Sequence, residues 1–200
     1  LIFNWWPFVF LPLGYALFAA LAAAQEKKSG DYRALRARNI HPMALWINKI
    51  TAMAFFGLLS TLVLMAAAVT AGLLTNAGAL PFGKIFTAGM VCWLSSLTLI
   101  PIQLWAAVWK GLFLSMGIGF LGMITGVLAA PMSFWMAVPW SWATRMMCPL
   151  IGVHPNGILL HAGDPLLDFS VIPVGLAVSL AAFSAFTLLT AAWFARREAK

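Results

Sequence analysis

The chain has 200 residues; 63% are hydrophobic, only 8% are charged, and the formal net charge is +7. Globular domains carry about 25% charged residues, so this chain cannot cover a water-facing surface and its solvent is largely lipid. The distribution of its basic residues follows membrane orientation, which argues against nucleic acid as a partner.

Five runs, 5–24, 50–83, 85–109, 111–144 and 169–195, contain no Asp, Glu, Lys or Arg. A membrane-crossing helix needs about 20 mostly apolar residues. The runs therefore predict an all-α integral membrane protein with spans at 4–24, 47–74, 86–108, 112–138 and 170–195. A membrane β-barrel would need segments of about 10 residues with alternating polarity. Stretches such as "FFGLLSTLVLMAAAV" are apolar throughout and exclude it.

The chain opens on "LIFNWWPFVF", which has neither the basic start nor the small-residue cleavage site of a signal peptide. Five spans that end in the cytoplasm must begin outside it. A sixth helix ahead of Leu1 is therefore expected in the full protein. Pro7 and Pro12 lie within the first span and predict kinks.

Next comes "EKKSGDYRALRAR", residues 26–38, the densest run of charge in the sequence. A charge at the centre of a spanning helix costs about 2.5–3.5 kcal/mol, so segment 25–46 must lie outside the lipid. Placed in the cytoplasm, it puts ten of the twelve Lys and Arg on that side and leaves only Lys84 and Arg145 on the other. The C-terminus is then cytoplasmic as well. The segment reads as a short helix capped by Asp31, with Pro42 opening the next. Its apolar face, Tyr32 and Leu35 beside Asn39, is too weak for lipid binding alone, which suits it to a cytoplasmic protein partner.

Tryptophan marks the boundaries. Trp5, Trp6, Trp135, Trp140 and Trp142 fall at the outer one. Trp46, Trp105, Trp109 and Trp193 fall at the inner one, and all are expected to be lipid anchors. Pro101 in "LIPIQL" predicts a kink, and Gln103, two residues on, is expected to satisfy a backbone or neighbouring polar group near the inner side. "WKG", 109–111, is a tight hairpin. In the fourth span Ser115, Gly119, Gly122 and Gly126 share a small-residue face, expected to pack within this subunit, with contact to a second membrane subunit as the alternative. The outer loop 139–169 is expected to form short surface helices broken at Pro149 and at the "HPNG" turn.

Catalytic chemistry is lacking. No phosphate-binding loop, H-E-x-x-H or G-x-S-x-G occurs. Cys92 and Cys148 set no disulfide framework. Cys148, His154, His161, Asp164 and Asp168 match no common zinc spacing, so no metal is expected. The span centres hold no ionisable residue, which argues against a proton pump or proton-coupled transporter. Energy for transport would come from another subunit.

Glu26, Lys28, Gly30, Tyr32, Pro42, Trp46 and Lys49 form a pattern that resembles the cytoplasmic loop of ABC-2-type permeases. More narrowly, "NWWPFVFLPLG", "LIPIQLW" and "PWSW…MMCPLIGVHPNG" resemble the EpiE/MutE-type permease subunits of lantibiotic-immunity ABC transporters. The resemblance implies a type V exporter-like helical permease, six-helical when complete, in a bacterial cytoplasmic membrane. It implies two copies of an ATP-binding protein, which bind the ATP and Mg while this chain binds none. It also implies a second related permease in a heterodimer and a lantibiotic-like peptide substrate in contact with membrane lipid. Carried over by position, a coupling segment at 30–42 would touch the ATPase through Gly30, Asp31, Tyr32, Arg33, Leu35, Arg36, Arg38 and His41. An outer gate at 139–163 would use Trp140, Trp142, Arg145, Val153, His154 and Asn156. The rivals are an exporter of another drug, lipid or peptide, and a membrane sensor or scaffold that transports nothing.

Overall fold

A computed structural model describes residues 2–28, 41–75 and 80–198. The elements in chain order are α1 (Ile2–Lys28), α2 (Pro42–Leu74), α3 (Phe82–Ser96), α4 (Leu99–Lys110), α5 (Leu112–Ala129), α6 (Pro139–Ile151) and α7 (Val171–Glu198). Among the described residues the only extended pairing is one bridge between Val153 and Leu159, which closes the "HPNG" turn. Four helices, α1, α2, α5 and α7, are individually long and apolar enough to cross a membrane, and there are five if the bent pair α3 and α4 counts as one span.

Proline places the irregularities. Pro7 and Pro12 each withhold a backbone donor. Between them α1 widens into a π-helical turn, Trp6–Phe10, in which Leu11 N donates to Trp6 O. The third predicted span, 86–108, is bent by 41° between Ser96 and Leu99. Pro101 has no N–H to offer Leu97 O, four residues earlier, and Ile100 N takes that carbonyl instead at 3.0 Å. The bend therefore sits ahead of the proline rather than at it. Thr98 Oγ1 then donates to Ser179 O of α7 at 2.7 Å and holds the corner.

The predicted span 112–138 is corrected: its helix stops at Ala129. Pro131 cannot continue the i→i−4 ladder, and the chain closes in tight turns, with Met132 N donating to Ala129 O (2.9 Å) and Ala137 N to Phe134 O (2.9 Å). The outer loop is corrected too. In place of short surface helices broken at Pro149, α6 is one 13-residue helix that runs through Pro149, and residues 141–149 are all buried. Pro149 falls in the last turn, where it costs one backbone bond, and Gly152 ends the helix at φ +68 with its N–H on Cys148 O. This helix is inserted against α3, α5 and α7.

Helix α1 packs chiefly on α4 and α5. Gly111, at φ +82, lets α4 and α5 turn back on each other. Ser115 Oγ donates to Ala16 O of α1 at 2.9 Å. With its amide turned to satisfy both ends, Gln103 donates to Ser115 Oγ (3.1 Å) and Ser115 O (2.9 Å) and accepts from Gly119 N (3.2 Å). All these groups are fully buried, so the polar seam fixes how three helices meet. The outward faces are apolar: Phe113 is 90% exposed and Val63 69%. Such a surface is stable against lipid or against another apolar protein face.

Candidate functional site

The charged end of the bundle is built from the ends of four helices. Glu26, on the last turns of α1, forms an ion pair with Lys49 of α2. These two residues bracket the segment read as coupling, so its two stems are joined. Of the predicted coupling residues, Gly30, Asp31, Tyr32, Arg33, Leu35, Arg36 and Arg38 lie outside the described residues. His41 is exposed at the N-cap of α2, and its carbonyl accepts from Leu45 N at 3.2 Å.

One turn before Lys49, Trp46 departs from expectation. It is 0% exposed, not a lipid anchor. Its indole Nε1 donates to Thr190 Oγ1 of α7 at 2.9 Å, and its ring stacks on Phe194 at 4.7 Å between centroids. Trp193 meets both Trp46 (6.1 Å) and Trp105 of α4 (6.3 Å) edge-on. Arg197 Nη1 donates to Val108 O at 2.8 Å, with its guanidinium over the Trp193 ring. The ends of α1, α2, α4 and α7 thus form one connected group. Sequence showed a tryptophan at a boundary but not which way it faced.

The opposite end carries the residues read as an outer gate. Trp142 is buried, with Nε1 donating to Met136 O at 3.0 Å. Arg145 is also buried and donates from Nη1 to Leu166 O at 2.9 Å, which ties α6 to the loop before α7. Trp140 is half-buried on α5, over Gly122 and Gly126. Gly119 of the same small-residue face meets Pro12 and Ala16 of α1. All four small residues, Ser115 included, therefore pack inside this chain. Val153 is buried, while Asn156 is exposed. Asn156 N donates to His154 Nδ1 (3.2 Å), and Asn156 Oδ1 accepts from Ile158 N (3.1 Å), so both side chains shape the turn.

None of those six lines the cavity at this end. That cavity, about 370 Å³, opens between the start of α1, the start of α3 and the end of α6, with Phe3, Lys84, Ile85, Ala88 and Ile151 on its walls. A second cavity of about 300 Å³ lies between α1 and α2, walled by Trp6, Phe10, Tyr15, Phe18 and Phe56.

Among the described residues no three His, Cys, Asp or Glu side chains come together to hold a metal. Asp164 caps the turn at Leu166 (Leu166 N to Oδ1, 2.8 Å), and Asp168 accepts from both N and Oγ of Ser170. The Ser170 hydroxyl, then its amide, hold the Asp168 carboxyl below the usual carboxylate range. Cys92 and Cys148 are buried free thiols.

The chain matches the family described as ABC-2 family transporter protein over residues 2–126. No curated protein and no solved structure matches it.

Proposed function

The chain belongs to the ABC-2 transporter family as a membrane permease, and from that premise we propose that it is the export subunit through which a partner ATPase expels lantibiotic or related antimicrobial peptides. ABC-2 permeases pair with ATP-binding subunits. Here two copies of such a protein bind ATP and Mg, and a second, related permease completes the path. The charged end faces the cytoplasm of a bacterium, following the excess of Lys and Arg there.

The observation that carries this reading is the joined stem of segment 25–46: the Glu26–Lys49 pair ties the end of α1 to the first turns of α2. A loop held by both ends passes a push to two spans at once, and those spans tilt as rigid bodies. Residues Tyr32, Leu35 and Arg36 receive that push, together with Gly30, Asp31, Arg33, Arg38 and His41. At the far end Trp140, Trp142, Arg145, Val153, His154 and Asn156 form the structural frame of the gate, beside the cavity that holds Lys84. Support for a peptide substrate is the likeness of "NWWPFVFLPLG" and "MMCPLIGVHPNG" to immunity permeases and the aromatic walls between α1 and α2. Those walls suit an amphipathic chain already in the membrane.

Purification in mild detergent with identification of every subunit is the first test; absence of an ATP-binding protein overturns the reading. Replacing Tyr32 and Arg36 with Ala is expected to leave membrane insertion and ATP hydrolysis intact while protection against the peptide is lost. Unchanged resistance would remove segment 25–46 from the mechanism.

A further inference from the structure

Trp46 occupies a position where a tryptophan ordinarily keeps one edge in the headgroups. Here the whole side chain is enclosed, and its N–H reaches a helix 144 residues further along the chain. Thr190 is suited to receive it. The threonine hydroxyl directs its own hydrogen to Phe186 O at 2.7 Å, which leaves a lone pair for the indole. The stack on Phe194, one turn further along α7, stops the ring from swinging out. Beyond this contact α7 is tied to α4 by Trp193, Trp105 and the Arg197–Val108 bond.

We infer that Trp46 is a positioning residue that carries the movement of segment 25–46 into the last span, α7, through Thr190 and Phe194. The inference rests on the reading of 25–46 as the segment that a partner ATPase pushes. It adds the route by which that push leaves the first two spans. A rotation of the α2 start must either drag α7 with it or break a buried hydrogen bond and an aromatic stack at once. All three side chains are buried, where losing a hydrogen bond and a ring contact together is costly, so the two helices move together. The last span, the farthest from segment 25–46 along the chain, becomes one of the most directly driven.

The test uses the full permease bound to its ATP-binding subunit in lipid vesicles. Asn48 on α2, Arg196 on α7 and Phe113 on α5 are all exposed, and cysteines placed there take spin labels while buried Cys92 and Cys148 do not. Distances 48–113 and 196–113 are read with and without Mg-ATP and vanadate. In the native background both distances are expected to change with nucleotide. In Trp46→Phe, which keeps the ring and loses the N–H, and in Thr190→Val, the 196–113 change is expected to shrink or vanish while the 48–113 change stays. Transport per ATP hydrolysed is expected to fall about tenfold, a size typical of a coupling free energy between sites. A 196–113 change that survives in both variants overturns the inference and leaves the reading of 25–46 standing. A 48–113 distance that ignores nucleotide in the native background overturns that reading, and this inference with it.

Discussion

Gly122 lies against the indole of Trp140 so closely that a methyl group at 122 would overlap the ring. One turn further on, a methyl at Gly126 would meet the Trp140 backbone, 2.7 Å from its carbonyl oxygen. The inserted helix α6 is therefore seated on α5 by glycines.

Those two glycines should respond differently to alanine. At Gly122 the indole can rotate aside, whereas at Gly126 the obstacle is backbone and α6 itself must shift. Overpacking of this kind costs about 1–3 kcal/mol, with Gly126→Ala expected at the upper end and Gly122→Ala at the lower. Gly117, with nothing within 4 Å of its would-be methyl, is the control, and Gly117→Ala is expected to gain about 0.5–1 kcal/mol of helix stability. Thermal unfolding in detergent, followed by tryptophan fluorescence, reads all three.

The Glu26–Lys49 pair is part-buried, with side chains 27% and 16% exposed. Water screens a pair so placed, and its contribution is about 0.2–1 kcal/mol. Glu26→Lys alone brings two cations together and should lower the unfolding temperature. The exchanged pair, Glu26→Lys with Lys49→Glu, should recover most of the loss. A double-mutant cycle in detergent of low ionic strength measures the coupling, which should weaken as salt is added.

Arg145 is expected to tolerate no replacement that removes its donors. Arg145→Met keeps much of the bulk but strands Leu166 O, and hydrogen bonds to charged groups are worth about 1.5–3 kcal/mol. The variant should unfold at a lower temperature. Proteolysis within 164–168, the loop that the bond restrains, should also become faster, as gel analysis after limited digestion would show.

Asp168 has its carboxyl pKa lowered in the folded protein by the Ser170 hydroxyl and amide. The sign follows directly. A depressed folded pKa stabilises the fold at pH above the unfolded value, near 4 for an aspartate, and this contribution is lost as the pH falls through the lower, folded value. Ser170→Ala removes the larger cause and should move the Asp168 midpoint back up toward the ordinary range. Carboxyl carbon NMR of labelled protein in micelles reads that midpoint.

Much of the architecture was open to reading from charge alone. Glu26, Lys49, Lys84, Lys110 and Arg196 punctuate the apolar runs, and the helices begin or end near them because a charge at mid-bilayer is costly. Pro101 announced a distortion and Gln103 a backbone or polar partner, found in Ser115 and the Gly119 amide. The small-residue face from Ser115 to Gly126 was visible as a spacing of four. What it meets, Pro12, Ala16 and Trp140, was not.

The reason lies in the solvent. In water the apolar face of a helix is its inner face, so periodicity reports burial. In lipid both faces are apolar. Along α2, the exposed Phe55, Phe56 and Val63 are as hydrophobic as the buried Ile50, Met53 and Leu64, and no pattern separates them. Trp46 and Trp142 could equally have been anchors, and 139–151 could equally have lain on the membrane surface.

The order of charges and prolines thus determined by itself that the chain is an all-helical membrane protein with four or five candidate spans and that its helices are irregular near Pro7 and Pro101, because both are local costs paid by individual residues. Only the tertiary structure decided that α6 enters the bundle and that Trp46 reaches Thr190. Those outcomes depend on shape and hydrogen-bond complementarity between segments far apart in the chain, which hydrophobicity cannot encode once the surroundings are as apolar as the core.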